Sequence, residues 1–403
     1  MMNSDGNESA QRALSGVIDH LRQAEGLAST GDPRSLELAL SSANAAWEIL
    51  RSLPAAHNLV VSLKAQALLL RGNAQRGQGR SQAAAAIASF DDALRLWDMI
   101  PVSDAAYLPN HHAKTWMSRG IALMTGGGTD HLKESVRCFD HAIKLREGLS
   151  AGPDPLVHYG LAAGWMNRGD ALTRLGEPAG LAEALRSYDE ALRVMGNLSL
   201  DANPLFRQRV AVAWLNRGAT LEALGTESGL ARAIDSFDQA ISTLERGEAV
   251  PNQLQMVAVA WMNRGNVCLR LGVTKAADAR DAARCAVGKI SPFEREDVFC
   301  AEIGLKARHV WCRSLAGLIE QASEAAEKDT LFSEATDVVD EAMDMIREWH
   351  TRGVGQFEAL AGELFRFGVR VYQIYQPHFV EEFRAENRLL SLEPVSDLWP
   401  RVR

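Results

Sequence analysis

Apolar positions along this chain fall at helical spacing, and they do so in pairs of segments. Ala184, Tyr188 and Ala191 stand at i, i+4 and i+7, one face of a helix on which a large ring is flanked by two small residues. Just upstream, Trp165, Gly169 and Leu172 lie within about 60° of one another on a helix advancing about 100° per residue, while Asn167, Asp170 and Arg174 cluster on nearly the opposite side. Two amphipathic helices are predicted, joined by a glycine-containing turn. The clearest copy reads Pro204 to Leu224 as the first helix, 225–229 as the turn and Leu230 to Leu244 as the second.

The pattern repeats. Trp165-Met166-Asn167-Arg168-Gly169 has near copies at Trp116-Met117-Ser118-Arg119-Gly120, Trp214-Leu215-Asn216-Arg217-Gly218 and Trp261-Met262-Asn263-Arg264-Gly265, with a weaker Leu70-Arg71-Gly72 upstream. The Arg-Gly pairs are 48, 49, 49 and 47 residues apart, a period that means stacked units, each burying its apolar face against its neighbours. Second helices carry a refrain of their own: Phe90-Asp91, Phe139-Asp140, Tyr188-Asp189 and Phe237-Asp238, each followed by a small residue two places after the Asp. Prolines 54, 101, 155, 204, 251 and 292 fall near first-helix starts, where a missing N–H does no harm.

Trp165, Asn167, Gly169, Leu172, Leu175, Gly176, Ala184, Tyr188 and Ala191 together resemble the tetratricopeptide repeat over residues 55–290. Two departures stand out: the unit is about 49 residues against the family's 34, and Arg precedes the glycine where that family has Leu. The resemblance implies an all-α fold, an α-α superhelix forming a right-handed solenoid of antiparallel helix pairs. It also implies that the Asn of the phrase points into a concave groove and hydrogen-bonds the backbone of an extended ligand.

The expected organisation is a disordered 1–8, a degenerate repeat or cap over 9–52, and five repeats over 53–290 (54–100, 101–150, 153–201, 203–248 and 251–290). An altered sixth repeat follows over 291–350, and an aromatic-rich cap over 354–403, in one continuous solenoid. That last segment holds Phe357, Phe365, Phe367, Tyr372, Tyr375, Phe379 and Phe383, and Pro377 should break or kink it.

Composition narrows the function. A net charge of −8 supplies no basic excess for phosphates, so nucleic acid is not expected. Five cysteines without a CxxC read as reduced thiols, and a polar, acidic start with no apolar run of about 20 residues reads as a cytoplasmic chain with no membrane partner. Arg168-Gly169-Asp170 lies inside a predicted helix whose sister copies vary the third letter, and Gly126-Gly127-Gly128 lacks the Lys-Ser/Thr of a phosphate loop, so it reads as a turn with Thr129 or Asp130 capping the next helix. His111, His112, His131 and His141 show no metal-ligand spacing, and no catalytic signature appears. No cofactor, metal or catalytic residue is expected.

The chain therefore reads as a non-catalytic scaffold for a protein or peptide partner. Candidate contact residues are Asn167, Asn216 and Asn263, with Asp170, Asn266, Met166, Met262, Arg174, Arg270 and Lys114 varying the groove. A sensor for a small ligand or signalling peptide and self-association through 354–403 are the alternatives. The repeated Arg flanks the buried face and needs a counter-ion, from Asp of its own repeat (Arg168 with Asp189) or of the preceding one (Arg168 with Asp140). Arg284, standing where repeat five should offer Asp, favours the preceding one.

Overall fold

The computed structural model describes residues 4–53, 58–101, 108–149, 155–196, 203–246 and 251–387. Contacts divide the chain into two compact units, Met1–Ser199 and Leu200–Arg403. The first holds α1 (Ser4–Thr30), α2 (Pro33–Arg51), α3 (Asn58–Gly77), α4 (Ala83–Asp98), α5 (Leu108–Gly126), α6 (Thr129–Glu147), α7 (Pro155–Leu175) and α8 (Pro178–Met195). The second holds α9 (Pro204–Leu224), α10 (Glu227–Glu245), α11 (Pro251–Arg270), α12 (Ala276–Ile290), α13 (Val298–Gln321), α14 (Ala325–Thr351), α15 (Glu358–Tyr375) and α16 (Val380–Glu386). Among the described residues there is no strand, and within each unit successive helices pack in pairs. The fold is an all-α helical repeat.

Local signals set the helix ends. Pro155, Pro204 and Pro251 begin α7, α9 and α11, and Pro292 falls in a short 3-10 turn before α13, whereas Pro54 lies outside the described residues. Gly225 takes a left-handed φ of 69° and closes α9, after which the Thr226 hydroxyl accepts from the Gly229 N–H at 3.1 Å. That cap starts α10 at Glu227, three residues before the expected Leu230. The turn after α5 differs from expectation: Gly128, with φ of 94°, precedes α6, and neither Thr129 nor Asp130 caps it. A glycine able to hold that backbone angle makes a side-chain cap unnecessary.

Four hairpins close on one contact. A Cβ added to Gly72 would lie 2.5 Å from the Phe90 ring, to Gly120 2.6 Å from Phe139, to Gly169 2.7 Å from Tyr188, and to Gly218 2.6 Å from Phe237. All four rings are buried, with Ala86, Ala184 and Ala233 or Ser135 one turn before them. Only a residue without a side chain lets the first helix approach that closely. Gly265 meets no ring, because Ala283 stands where the aromatic would be; a Cβ added there would lie 3.0 Å from Val310 of α13 instead.

The ends depart from the expected boundaries. Helix α1 begins at Ser4, so residues 4–8 are helical where disorder was expected; the helix continues outward from Val17, Leu21 and Ala24, whose burial holds it in place. Residues 1–3 and 388–403 lie outside the described set. In the C-terminal segment Phe357, Phe365, Phe367, Tyr372 and Phe383 are buried in one cluster with Leu315, Phe332, Val339 and Met343, while Tyr375 is half-buried and Phe379 exposed. Helix α15 stops at Tyr375, and Pro377 opens a 3-10 turn. The hairpin contact then recurs unannounced, with Gly368 against the Phe383 ring, making α15 and α16 a truncated further pair.

Overpacking at the closing glycine gives a test. Gly169→Ala and Gly218→Ala should each destabilise by about 1 to 3 kcal/mol, whereas Gly288→Ala on the exposed side of α12, with nothing within 4 Å, should gain about 0.5 to 1 kcal/mol from helix propensity. Urea melts read both signs.

Candidate functional site

The repeated arginine of the phrase sits beside the closing glycine, about 100° around the helix from it, and reaches three ways. Its Nε meets the Asp of the preceding hairpin: Arg119 to Asp91 at 2.6 Å, Arg168 to Asp140 at 2.7 Å and Arg264 to Asp238 at 2.7 Å. Pairing runs between hairpins. Its other nitrogens reach the residue just before the aromatic of its own second helix, as in Arg119 to Cys138 Sγ at 3.0 Å, Arg168 to Ser187 Oγ at 2.9 Å and Arg217 to Ser236 Oγ at 2.7 Å. Arg71 makes the same contact through Nε, to Ser89 at 3.0 Å. The Trp three residues earlier lies under the guanidinium, 5.5–5.9 Å away for Trp116, Trp165, Trp214 and Trp261.

Each of these arginines therefore ties successive helices together. In two of them a second acid adds to the pin, Glu134 to Arg119 at 3.0 Å and Glu183 to Arg168 at 3.1 Å. Burial opposes the charge on Arg119, but Asp91 and Cys138 outweigh it and hold the guanidinium more firmly protonated than usual. Burial pushes the Cys138 thiol up to about 11, so it is an unreactive acceptor. The serines and cysteine of the refrain were legible, since Ser, Cys, Ser and Ser directly precede the aromatics at 90, 139, 188 and 237; they went unread because small polar residues inside a helix carry no strong signal alone.

Farther along the chain the pin changes hands. Arg280 of α12 pairs with Glu334 of α14, and Glu334 also accepts the Trp311 indole N–H at 2.6 Å. Arg308 and Glu294 form a buried pair at 2.6 Å, and the Glu294 carbonyl accepts from Trp349 at 3.0 Å. Asp340, in the register of the repeated Asp, accepts instead from the Tyr372 hydroxyl at 2.6 Å. Burial raises its carboxyl above the usual range, with that hydrogen bond pulling the other way.

The proposed contact residues separate into three groups. Asn167, Asn216, Asn263 and Asn266 are half-buried, and Lys114 and Arg174 are exposed. Asp170 accepts the Tyr188 hydroxyl at 2.7 Å, and Arg270 donates to the Glu222 carbonyl at 2.8 Å, joining α11 to α9; both side chains already have work inside the array. Met166 is 2% exposed, and half-buried Met262 packs on the cluster of Cys268 and Val310. Met166 is corrected from a ligand contact to an interior residue, because three places before the glycine is only about 60° from it on the helix, whereas Met262 is half-buried like the asparagines.

The histidines gather without metal-ligand geometry: among the described residues no group of three or more His, Cys, Asp or Glu side chains could hold an ion. Trp116 stacks between His112 and His141, 6.3 Å and 4.6 Å between centroids, and donates its indole N–H to His112 Nε2 at 3.1 Å. That nitrogen must therefore be unprotonated. No described helix is long and apolar enough to cross a membrane.

No family model matches this chain, and no curated protein does. Solved structures with similar folds include BtubC from P. vanneervenii, 16% identical over 64% of this chain and 92% of that one, with a TM-score of 0.47. A Rap protein complexed with competence and sporulation factor is 11% identical over 93% and 97%, at 0.42. Nro1, a nuclear import adaptor, is 11% identical over 84% and 99%, at 0.35. The helical repeat is TPR-like. Likenesses at this level carry no argument about what the chain binds.

Two measurements follow from this geometry. With the Arg168 side chain 17% exposed but Asp140 50% exposed, a double-mutant cycle of Arg168→Ala and Asp140→Ala should give a coupling of about 0.5 to 1 kcal/mol, well short of a fully buried pair. His112 is held below its ordinary 6.5 chiefly by burial, with Asp98 at 3.5 Å opposing and His141 assisting. The unfolded chain then takes up this proton first as pH falls through 6.5, so stability is full above that value and is lost below it. The melting temperature should decline between about pH 7 and pH 5, and less steeply in His112→Gln.

Proposed function

We propose that the chain is a non-catalytic interaction scaffold whose first-helix faces hold an extended peptide or a partner helix. One observation carries this reading: Asn167, Asn216 and Asn263 recur two places before the closing glycine, about 200° around the helix from it. At that register an amide is turned from the hairpin contact, and an amide can both donate to and accept from a peptide group. Lys114 on α5 and Arg174 on α7 supply charge that varies from repeat to repeat, as selective recognition requires. Met166 leaves the set, half-buried Met262 stays in it, and Asp170 and Arg270 enter it only by giving up the bonds they already make.

Burial of five of the seven C-terminal aromatics weighs against self-association through 354–403. The acidic balance of the chain favours a protein partner over nucleic acid in a cytoplasmic setting. The triple variant Asn167→Ala, Asn216→Ala, Asn263→Ala, checked by circular dichroism for an unchanged helical melt, should recover the wild-type partners from native lysate at least about tenfold less well. Equal recovery by the two proteins would sink the reading.

A further inference from the structure

The position seven residues after each second-helix aromatic is an interior one. Trp97, Met195 and Leu244 occupy it and are 2%, 0% and 2% exposed; in the α5–α6 hairpin it is taken by Arg146, which is 5% exposed. A buried guanidinium normally comes with a carboxylate. Among the described residues none reaches Arg146. Its Nη1 donates to the Gly160 carbonyl at 2.9 Å, an oxygen in the second turn of α7, and its buried Nε has no partner. Without a counter-charge, burial brings its pKa down to about 10.

Gly160 is the other half of the arrangement. The corresponding position in α3, α5, α9 and α11 is Leu63, His111, Arg209 and Met256. A Cβ at 160 would lie 2.9 Å from Arg146 Nε and 3.1 Å from Cζ, so the guanidinium occupies the volume a side chain there would fill. In the preceding hairpin the same meeting is a filled one: Trp97 stacks on His111 at 5.9 Å and its indole N–H is satisfied by Thr115 at 2.9 Å. Gly160 is itself only half-buried, which places the charge immediately beneath the surface of α7. With Nη1 committed to a carbonyl, the edge left over is the one formed by Nε and Nη2. That edge takes a planar carboxylate through two parallel N–H to O bonds.

We infer that Arg146, admitted by Gly160, is an anion site that takes a carboxylate of an acidic segment in a bound partner. The identity of the donor as a polypeptide rests on the scaffold reading above, and the site itself does not. An edge of two N–H groups suits a single planar carboxylate, and a desolvated cation discriminates strongly for charge.

Thermal melts of the full chain in sodium acetate and in sodium chloride at equal ionic strength test the site. Wild type should melt about 2 to 4 °C higher in acetate. Arg146→Met, which installs the residue found at 195, should fold and show no difference between the salts, and Arg146→Lys should show a smaller one. Equal melting of wild type in both salts, or an acetate effect retained by Arg146→Met, overturns the proposal. Fluorescence anisotropy with a labelled hexaglutamate peptide then tests the donor: wild type should bind at least about tenfold more tightly than Arg146→Met and Gly160→Ala. An acetate effect that tracks Arg146 without hexaglutamate binding overturns the acidic partner, whereas the asparagine variant judges the scaffold reading separately.

Discussion

The array depends on a backbone placed against a ring. Because Gly72, Gly120, Gly169 and Gly218 have no side chain, the rings of Phe90, Phe139, Tyr188 and Phe237 lie within van der Waals reach of the first helix, and the two helices of a hairpin come together with no intervening layer. Close packing of this kind is stiff, since the interior has no room to absorb even a methyl group. It also decides where everything else on the first helix points. The residue before the glycine falls on the flank, where it meets the neighbouring hairpin, and the residue two places before it is carried away from the contact.

The arginine on that flank turns isolated hairpins into a connected stack. One guanidinium reads a serine or cysteine on its own second helix and an aspartate on the previous one, with a tryptophan face beneath it. Its value is largely directional. The aspartates are half in water, so the attraction is modest, but five fixed N–H groups accept only one geometry and hold successive units at a common offset. Where the second-helix aromatic is lost at Ala283, both parts of this arrangement are rebuilt from other residues: Val310 takes the space before Gly265, and Arg280 of α12 meets Glu334 of α14, so the cation moves from a first helix to a second one. The same job is done by different letters, which is why the pattern fades in sequence before it ends in structure.

Much of this was legible in the chain. The period, the two helices per unit, the packed faces that carry the glycine and the aromatic, and the need of Arg168 for a repeated aspartate follow from spacing, because helix geometry turns spacing into direction. Arg284 tilts the choice toward the preceding unit, since it removes the within-repeat acid for Arg264, and Arg264 indeed meets Asp238. Other parts were not legible. Met166 was assigned to a ligand-facing position by its neighbours in the phrase, although its angle from Gly169 places it inside. Gly368 and Phe383 repeat the hairpin contact at a shorter spacing and without the arginine, so no periodicity announces them. Glu294 and Arg308 pair across a turn and a helix in a stretch with no sister copy for comparison.

Sequence alone determined the repeat, its helix pairs and the residues that close each hairpin, because these rest on contacts between positions a fixed number of residues apart. Tertiary structure decided which polar groups remain available. Asp170 is held by a tyrosine hydroxyl, Arg270 by a carbonyl of α9, and Arg146 is left buried beneath Gly160 without an acid. Whether a charge is satisfied depends on what another helix brings to it, and spacing along one helix cannot report that.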